Sequence, residues 1–120
     1  MTATGCLVIV DDNQALASAT SRILSDAGYE VVIASSPFEV TSILAQQEVA
    51  LLILDVMMPG IDGQALASFL PRRTQIVFYS AIDEERLRAL AARFSNATYV
   101  SKADGVDELL HEVEARLGNG

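Results

Sequence analysis

Five short apolar runs, separated by stretches with helical periodicity, constrain the fold of this chain more than any other feature. The runs are Cys6 to Val10, Glu30 to Ala34, Ala50 to Leu54, Gln75 to Ser80 and Ala97 to Ser101. The first, third and fourth are continuous and rich in Val, Ile and Leu, which is typical of strands buried on both faces of a parallel sheet. The chain has 120 residues, of which 51% are hydrophobic, so we expect one domain over 1–120 with its core at about 6–117.

The stretches between the runs carry signals for the starts and ends of helices. The segment Ser36-Pro37-Phe38-Glu39 has the form of a capping box, with Ser36 as the N-cap. Later helices have predicted N-caps at Asp62, Asp83 and Asp104. The expected bounds are about Gln14 to Ala27 for the first helix, which stops near Gly28, and about Gln64 to Leu70 for the third.

Two helices show a clear apolar face. In the last one the face consists of Val106, Leu109, Leu110, Val113 and Leu117. In the fourth it consists of Leu87, Leu90, Ala91 and Phe94. Five repeats of strand and helix predict a doubly wound α/β fold, with helices on both faces of a five-stranded parallel sheet. Ligands in such folds bind at the carboxyl ends of the strands, near a topological switch point.

The residues that end the predicted strands are chemically distinctive. The first strand ends in Asp11-Asp12, the third in Asp55, the fourth in Ser80-Ala81 and the fifth in Lys102, the only lysine. Because parallel strands end at one edge of the sheet, we expect three carboxylates, a hydroxyl and an ammonium group to converge there. No His or Cys stands near these strand ends.

Three neighbouring carboxylates repel one another, and a divalent cation would relieve that repulsion. An all-oxygen ligand set suits Mg2+, or Mn2+ as a substitute, better than zinc. A carboxylate in such a site can act as a nucleophile toward phosphorus and form an aspartyl phosphate. Lys102 could then pair with a phosphoryl oxygen, and the Ser80 hydroxyl could donate a hydrogen bond to one.

The same residues carry a resemblance to a known family. Asp11-Asp12, the segment Asp55-Val56-Met57-Met58-Pro59-Gly60, Ser80-Ala81 and Lys102 resemble the motifs of response-regulator receiver domains, which belong to two-component signalling. The resemblance covers about Leu7 to Leu117. It implies a flavodoxin-like fold with strand order 2-1-3-4-5 and a signalling domain that promotes only its own phosphorylation and autodephosphorylation.

The resemblance also implies a role for each matching residue. Asp55 would be the phosphoacceptor and a direct Mg2+ ligand together with Asp12, while Asp11 would act through water. The backbone carbonyl of Met57 would be a further ligand. Ser80 would be the switch hydroxyl, Lys102 the cation that pairs with phosphate and Tyr99 the aromatic switch residue. The phosphodonor would be a phosphohistidine of a sensor histidine kinase or a phosphotransfer protein.

Some positions depart from the family pattern. Ala103 follows the lysine where many members have Pro, which removes the usual reason for a cis peptide bond. Ser80 stands where Thr is commoner, and the hydroxyl is kept. Met57 and Ile82, two residues after Asp55 and Ser80, are apolar and cannot orient an attacking water, so we expect a long-lived phosphorylated state.

Three other functions are alternatives to a phosphorylated receiver domain. A pseudo-receiver that binds partners without phosphorylation would have lost an acidic residue or the lysine, and neither is lost here. A flavodoxin needs a phosphate-binding loop after its first strand, where this chain has Asp11-Asp12-Asn13. A phosphatase with an aspartyl nucleophile resembles Asp-x-Asp, whereas the present segment is Asp55-Val56-Met57.

Charge and composition limit the partners. A net charge of −8 disfavours direct contact with nucleic acid or an anionic membrane. The chain has a single cysteine, Cys6, so it cannot form an internal disulfide, and no apolar run approaches the ~20 residues of a membrane span. Both features fit a cytoplasmic protein. The expected partners are a kinase and a downstream target or output domain. The family also allows a homodimer through the fourth helix, fifth strand and fifth helix.

Several residues have an ordinary interpretation beside the functional one. His111 is the only histidine, and its position in the last helix predicts a solvent-exposed side chain with no phosphotransfer role. Cys6 is expected to be a packed apolar residue. Tyr99 fits a half-buried core position almost as well as a switch position. The fourth helix carries arginines that either face solvent or contact a partner, namely Arg86, Arg88 and Arg93.

Overall fold

The computed structural model describes residues 5–57, 63–71 and 73–118, and within these ranges it contains five strands and five α-helices. In chain order the elements are β1 Cys6–Val10, α1 Gln14–Asp26, β2 Val31–Ala34, α2 Pro37–Gln46, β3 Val49–Leu54, α3 Gly63–Ser68, β4 Gln75–Ser80, α4 Glu84–Ala91, β5 Ala97–Ser101 and α5 Val106–Leu117. A short 3-10 helix, Lys102–Asp104, connects β5 to α5. None of the described helices is long and apolar enough to cross a membrane.

The five strands form one parallel sheet in the order β2-β1-β3-β4-β5, which confirms the predicted fold. The three central strands β1, β3 and β4 are buried almost throughout, as their continuous apolar sequences predict. From β1 the chain leads to β2 on one side, and β3 lies on the other. The topological switch point therefore lies at the carboxyl ends of β1 and β3, where a ligand site is expected.

Each face of the sheet carries its own apolar core. On one face α2, α3 and α4 cover a cluster that contains Val8, Leu52, Phe78 and Leu87. On the other face α1 and α5 cover a cluster that contains Ile9, Leu51, Tyr79 and Leu109. Successive side chains along a strand point to opposite faces of the sheet. In β4, Phe78 therefore belongs to the first cluster and Tyr79 to the second.

The predicted N-caps Ser36 and Asp83 and the predicted stop of α1 near Gly28 are confirmed. The Ser36 hydroxyl accepts the Glu39 N–H at 3.2 Å, and the Asp83 carboxylate accepts the Arg86 N–H at 3.0 Å. Gly28 follows α1 with a φ of +104°, a conformation suited to glycine. The predicted N-cap Asp62 lies outside the described residues.

Asp104 was the wrong choice of N-cap for α5. The 3-10 helix contains this residue, and Gly105 takes the N-cap position with a φ of +87° and no side-chain hydrogen bond. The cause is Ser101, whose hydroxyl accepts the Ala103 N–H and starts a tight turn directly after β5. The chain completes this turn before α5 begins, so the acidic side chain comes one residue too early to cap the helix.

Candidate phosphorylation and metal site

Asp55 follows β3 and is fixed at the switch point by backbone pairing. Its N–H donates to the carbonyl of Val10 at 3.1 Å, so it continues the ladder between β1 and β3. Its side chain is buried, and the Oδ1 atom accepts the N–H of Met57 at 2.9 Å. This Asx turn leaves the Oδ2 atom directed to the other strand ends.

The end of β1 supplies two further carboxylates in different environments. Asp11 is buried and its Oδ1 accepts the Asn13 N–H at 2.9 Å, whereas Asp12 is exposed. Asn13 in turn caps α1, since its Oδ1 accepts the Leu16 N–H at 3.1 Å. The start of α1 thus holds Asp11 in place.

Lys102 joins the two buried carboxylates. Its Nζ donates to Asp55 Oδ2 at 2.6 Å and to Asp11 Oδ2 at 2.9 Å. Burial alone would lower the pKa of the Lys102 ammonium, but the hydrogen bonds and the charges of Asp55 and Asp11 outweigh it, so the pKa is raised above its ordinary value. The predicted convergence of strand ends is therefore observed for these residues.

This raised pKa predicts a loss of stability at high pH. Because the pKa of Lys102 rises on folding, its ion pairs stabilise the folded chain fully below about pH 10.4, the ordinary lysine pKa. The stabilisation by these ion pairs is lost as the pH rises through the pKa of Lys102 in the folded chain. Urea unfolding in metal-free buffer should show a gap in stability between the wild type and Lys102→Met that is constant from pH 7 to 9 and narrows above about pH 10.4. A gap that stays constant at all pH values would contradict this expectation.

The three carboxylates lie close enough for a shared cation. Asp11, Asp12 and Asp55 each offer one oxygen, and these oxygens lie within 4.8 Å of one another. Oxygen-only donors fit a hard divalent ion such as Mg2+, with open positions toward solvent on the side of Asp12. Met57, two residues after Asp55, is 54% exposed.

Ser80 ends β4, the neighbour of β3 in the sheet. It is fully buried, and its Oγ is the only buried side-chain polar atom of the described residues that has no hydrogen-bond partner. A buried hydroxyl that finds no partner in the protein, in water or in a ligand costs roughly 1–3 kcal/mol, so this position favours a ligand that can accept its hydrogen bond.

Tyr99 lies on β5 at the α4 side of a polar groove. It is half-buried, and its hydroxyl donates to Glu84 Oε2 at 3.3 Å. The groove has a volume of about 440 Å³ and is lined by Glu84, Tyr99, Val100, Ser101, Asp104, Glu108 and Glu112. His111 is exposed on α5, as the sequence predicts.

The loop after Lys102 has a regular conformation without proline. The Lys102–Ala103 peptide bond is trans, as are the others in the described residues. Ala103 has an N–H that proline would lack, and the Ser101 hydroxyl accepts it at 3.2 Å. This hydrogen bond closes the turn that carries Lys102 to the carboxylates.

Sequence reasoning missed three supporting residues. Ser101 and Asn13 are small polar residues at the starts of helical segments, which is the ordinary signal of an N-cap. The third is Tyr79, whose ring centroid lies 5.9 Å from the Lys102 Nζ. Its signal was a second aromatic residue, next to Phe78 and directly before Ser80 at the end of β4.

The fold and the site define a doubly wound α/β domain with carboxylates and a lysine at its switch point, and comparison with known proteins identifies the family. The sequence matches the family model of the response regulator receiver domain over residues 7–114. The chain therefore belongs to the response regulator receiver domain family, a family of signalling domains.

Solved structures agree with this membership. The response regulator TrrA from Thermotoga maritima, in complex with Mg2+-BeF, is 26% identical with a TM-score of 0.79, and the match covers 95% of this chain and 100% of that one. The structure of the histidine kinase ThkA in complex with TrrA matches at 26% identity, a TM-score of 0.80 and coverages of 95% and 99%. A response regulator receiver domain from Bermanella marisrubri is 25% identical with a TM-score of 0.79 and coverages of 94% and 98%.

Proposed function

We propose that this receiver domain accepts a phosphoryl group on Asp55 and responds by changing a partner-binding surface. The observation that carries the proposal is the Asp55 carboxylate itself, buried at the switch point with Oδ2 on the Lys102 ammonium. A second support is the unsatisfied Ser80 hydroxyl at the end of the adjacent strand. We take 1–120 as one receiver domain, with its core at about 6–117, acting in the cytoplasm.

A divalent cation fits the acidic end of the site. We assign Asp12 and Asp55 as direct ligands of Mg2+, Asp11 as a ligand through water and the Met57 carbonyl as a further ligand, with Mn2+ as a substitute. The carboxylate cluster supports this assignment, as does TrrA, which was solved with Mg2+-BeF. When bound, the ion would offset the repulsion between the carboxylates and an incoming phosphoryl group.

The transfer step uses groups of this chain. An Asp55 carboxylate oxygen attacks the phosphorus of a phosphohistidine, an O–P bond forms and the P–N bond breaks. The electron pair of that bond stays on the imidazole nitrogen, which takes up a proton. Lys102 already lies at Asp55 and would follow the negative charge onto a phosphoryl oxygen. The donor is a sensor histidine kinase or a phosphotransfer protein, and the ThkA–TrrA complex supports the first.

The response follows from the added charge. A phosphoryl group brings about −1.5 to −2 charges near neutral pH. The Ser80 hydroxyl would turn to donate to it, and Tyr99 would leave Glu84 and move toward the space beside Ser80. That movement would reshape the groove between α4 and α5 across β5. This face would bind a downstream target or an attached output domain, or a second copy of the chain, with no direct contact to nucleic acid or membrane.

The domain itself would act only on its own phosphoryl group, in phosphorylation and autodephosphorylation.

Purified protein with Mg2+ and acetyl phosphate should gain one phosphoryl group by intact mass. Asp55→Asn and a chelator should each abolish the gain, whereas Asp26→Asn, at the exposed end of α1, should leave it intact. If neither acetyl phosphate nor histidine kinases phosphorylate a protein that still binds Mg2+, the domain is a phosphorylation-independent pseudo-receiver.

The lifetime of the phosphorylated state should depend on Met57. Its side chain is 54% exposed and apolar, and Ile82 is half-buried, so neither orients a water for attack on phosphorus. Met57→Asn should speed the loss of the phosphoryl group by about two- to tenfold. The reason is that one hydrogen bond to the attacking water would lower the barrier by roughly 0.5–1.5 kcal/mol. Loss of the phosphoryl mass is followed after removal of the donor. Met57→Leu is the matched control and should leave the rate unchanged; an Asn variant that decays no faster would refute the idea.

A further inference from the structure

We infer that Tyr79 is a positioning residue for Lys102, whose ammonium its ring holds at the carboxylates through a cation–π contact. The inference deepens the proposed function and rests on it for its kinetic consequence. The Lys102 Nζ lies over the ring, 5.9 Å from its centroid, within the range of such contacts.

The ring itself is rigidly held. Tyr79 is only 4% exposed and belongs to the core that α1 and α5 cover. Its strand pairs with β5 at Val100, two residues before the lysine. The ring and the turn that carries Lys102 are therefore fixed by the same pair of strands.

The contact fits what the ammonium needs. Of its three N–H donors, hydrogen bonds to Asp55 and Asp11 use two. A ring face attracts the positive charge without fixing a donor direction, so the ammonium can pivot from Asp11 to a phosphoryl oxygen while it stays over the ring. With an aliphatic side chain at position 79, the flexible side chain of Lys102 would be held only by Asp55 and Asp11, and these contacts change during the reaction.

Graded fluorination of the ring tests the electrostatic part of the inference. Phenylalanine and its mono-, di- and trifluorinated analogues replace Tyr79, because fluorine withdraws electron density from the ring face with little change of shape. The initial rate of Asp55 phosphorylation by acetyl phosphate at saturating Mg2+ is measured for each. The phenylalanine variant should stay within about twofold of the wild type, and the rate should fall steadily along the series by about three- to thirtyfold in total, the range of a partly buried cation–π contact. A merely structural ring would give a flat series, which would overturn the inference.

The same series at Phe94 is the matched control. Phe94 packs on Phe78 with ring centroids 5.9 Å apart, so fluorination there should leave the rate unchanged. A fall at both positions would indicate a general packing effect and would also overturn the inference. Thermal midpoints of all variants should confirm that each is folded.

The contact can also be measured without any phosphodonor. Lys102 is the only lysine, so lysine labelled with ¹³C and ¹⁵N gives one side-chain signal set. In metal-free wild type the ring current should shift the Lys102 ε-methylene protons upfield, and Tyr79→Leu should return them toward the value of a free lysine. An unchanged shift would overturn the contact. If the wild type takes up no phosphoryl group, the proposed function fails, and the NMR result alone decides whether the ring holds the ammonium.

Discussion

Lys102→Met should destabilise the metal-free protein by about 3–5 kcal/mol, the cost of removing one partner from a buried ion pair. The ammonium is the one cation that the structure places on the buried carboxylates of Asp11 and Asp55 among the described residues, at 2.9 and 2.6 Å. Without it two buried negative charges face each other at the switch point. Urea unfolding in the presence of a chelator measures the loss.

Two comparisons make this prediction specific. Mg2+ should restore part of the lost stability, because it binds the folded carboxylates in place of the ammonium. Arg73→Met is the matched control: its 3.6 Å ion pair with Glu48 is exposed on both sides, so the change should stay within about 0.5 kcal/mol. A Lys102→Met protein as stable as the wild type without metal would show that the carboxylates are not both charged and buried.

Phe78→Ala should cost about 3–5 kcal/mol of unfolding free energy, a large part of the roughly 5–15 kcal/mol that holds a domain together. Phe78 is 0% exposed in the central strand β4 and packs on Phe94, so its loss leaves a cavity that the sheet cannot close. Phe69→Ala is the matched control, because that ring is 83% exposed and the change should stay within about 0.5 kcal/mol. Equal effects of the two substitutions on urea midpoints would contradict the placement of β4 in the core.

The fold could be predicted because each level of the sequence agrees with the others. Continuous Val, Ile and Leu runs can be strands only if both faces are covered, and the intervening helices supply that cover. The convergence of Asp11, Asp55 and Lys102 then followed from geometry alone, since parallel strands end at one edge. Strand order needed the family resemblance, because periodicity does not state which strands are neighbours.

The local details were harder to predict because they depend on side-chain hydrogen bonds over short distances. Asp104 looked like an N-cap, but a Ser101 hydroxyl that accepts the Ala103 N–H displaces the start of α5 to Gly105. The sequence pattern does not show whether Ser101 or Asp104 accepts the backbone N–H groups at the start of a helix. Tyr79 was missed for a related reason, since its contact with Lys102 joins residues from different strands.

The missing proline after Lys102 shows how a family motif can be replaced by other means. A trans peptide bond and the Ser101 hydrogen bond give the turn a defined shape, and Lys102 still reaches both carboxylates. In this chain the ammonium of Lys102 reaches Asp55 without a proline after the lysine.

Reductive trapping tests the central claim most directly. The protein is phosphorylated with acetyl phosphate and Mg2+, treated with borohydride, which reduces an aspartyl phosphate to homoserine, and digested for peptide mass analysis. Homoserine should form at position 55 alone, and only when Mg2+ is present. Homoserine at position 11 or 12, phosphate on His111, or no modified residue in a protein that binds Mg2+ would contradict it.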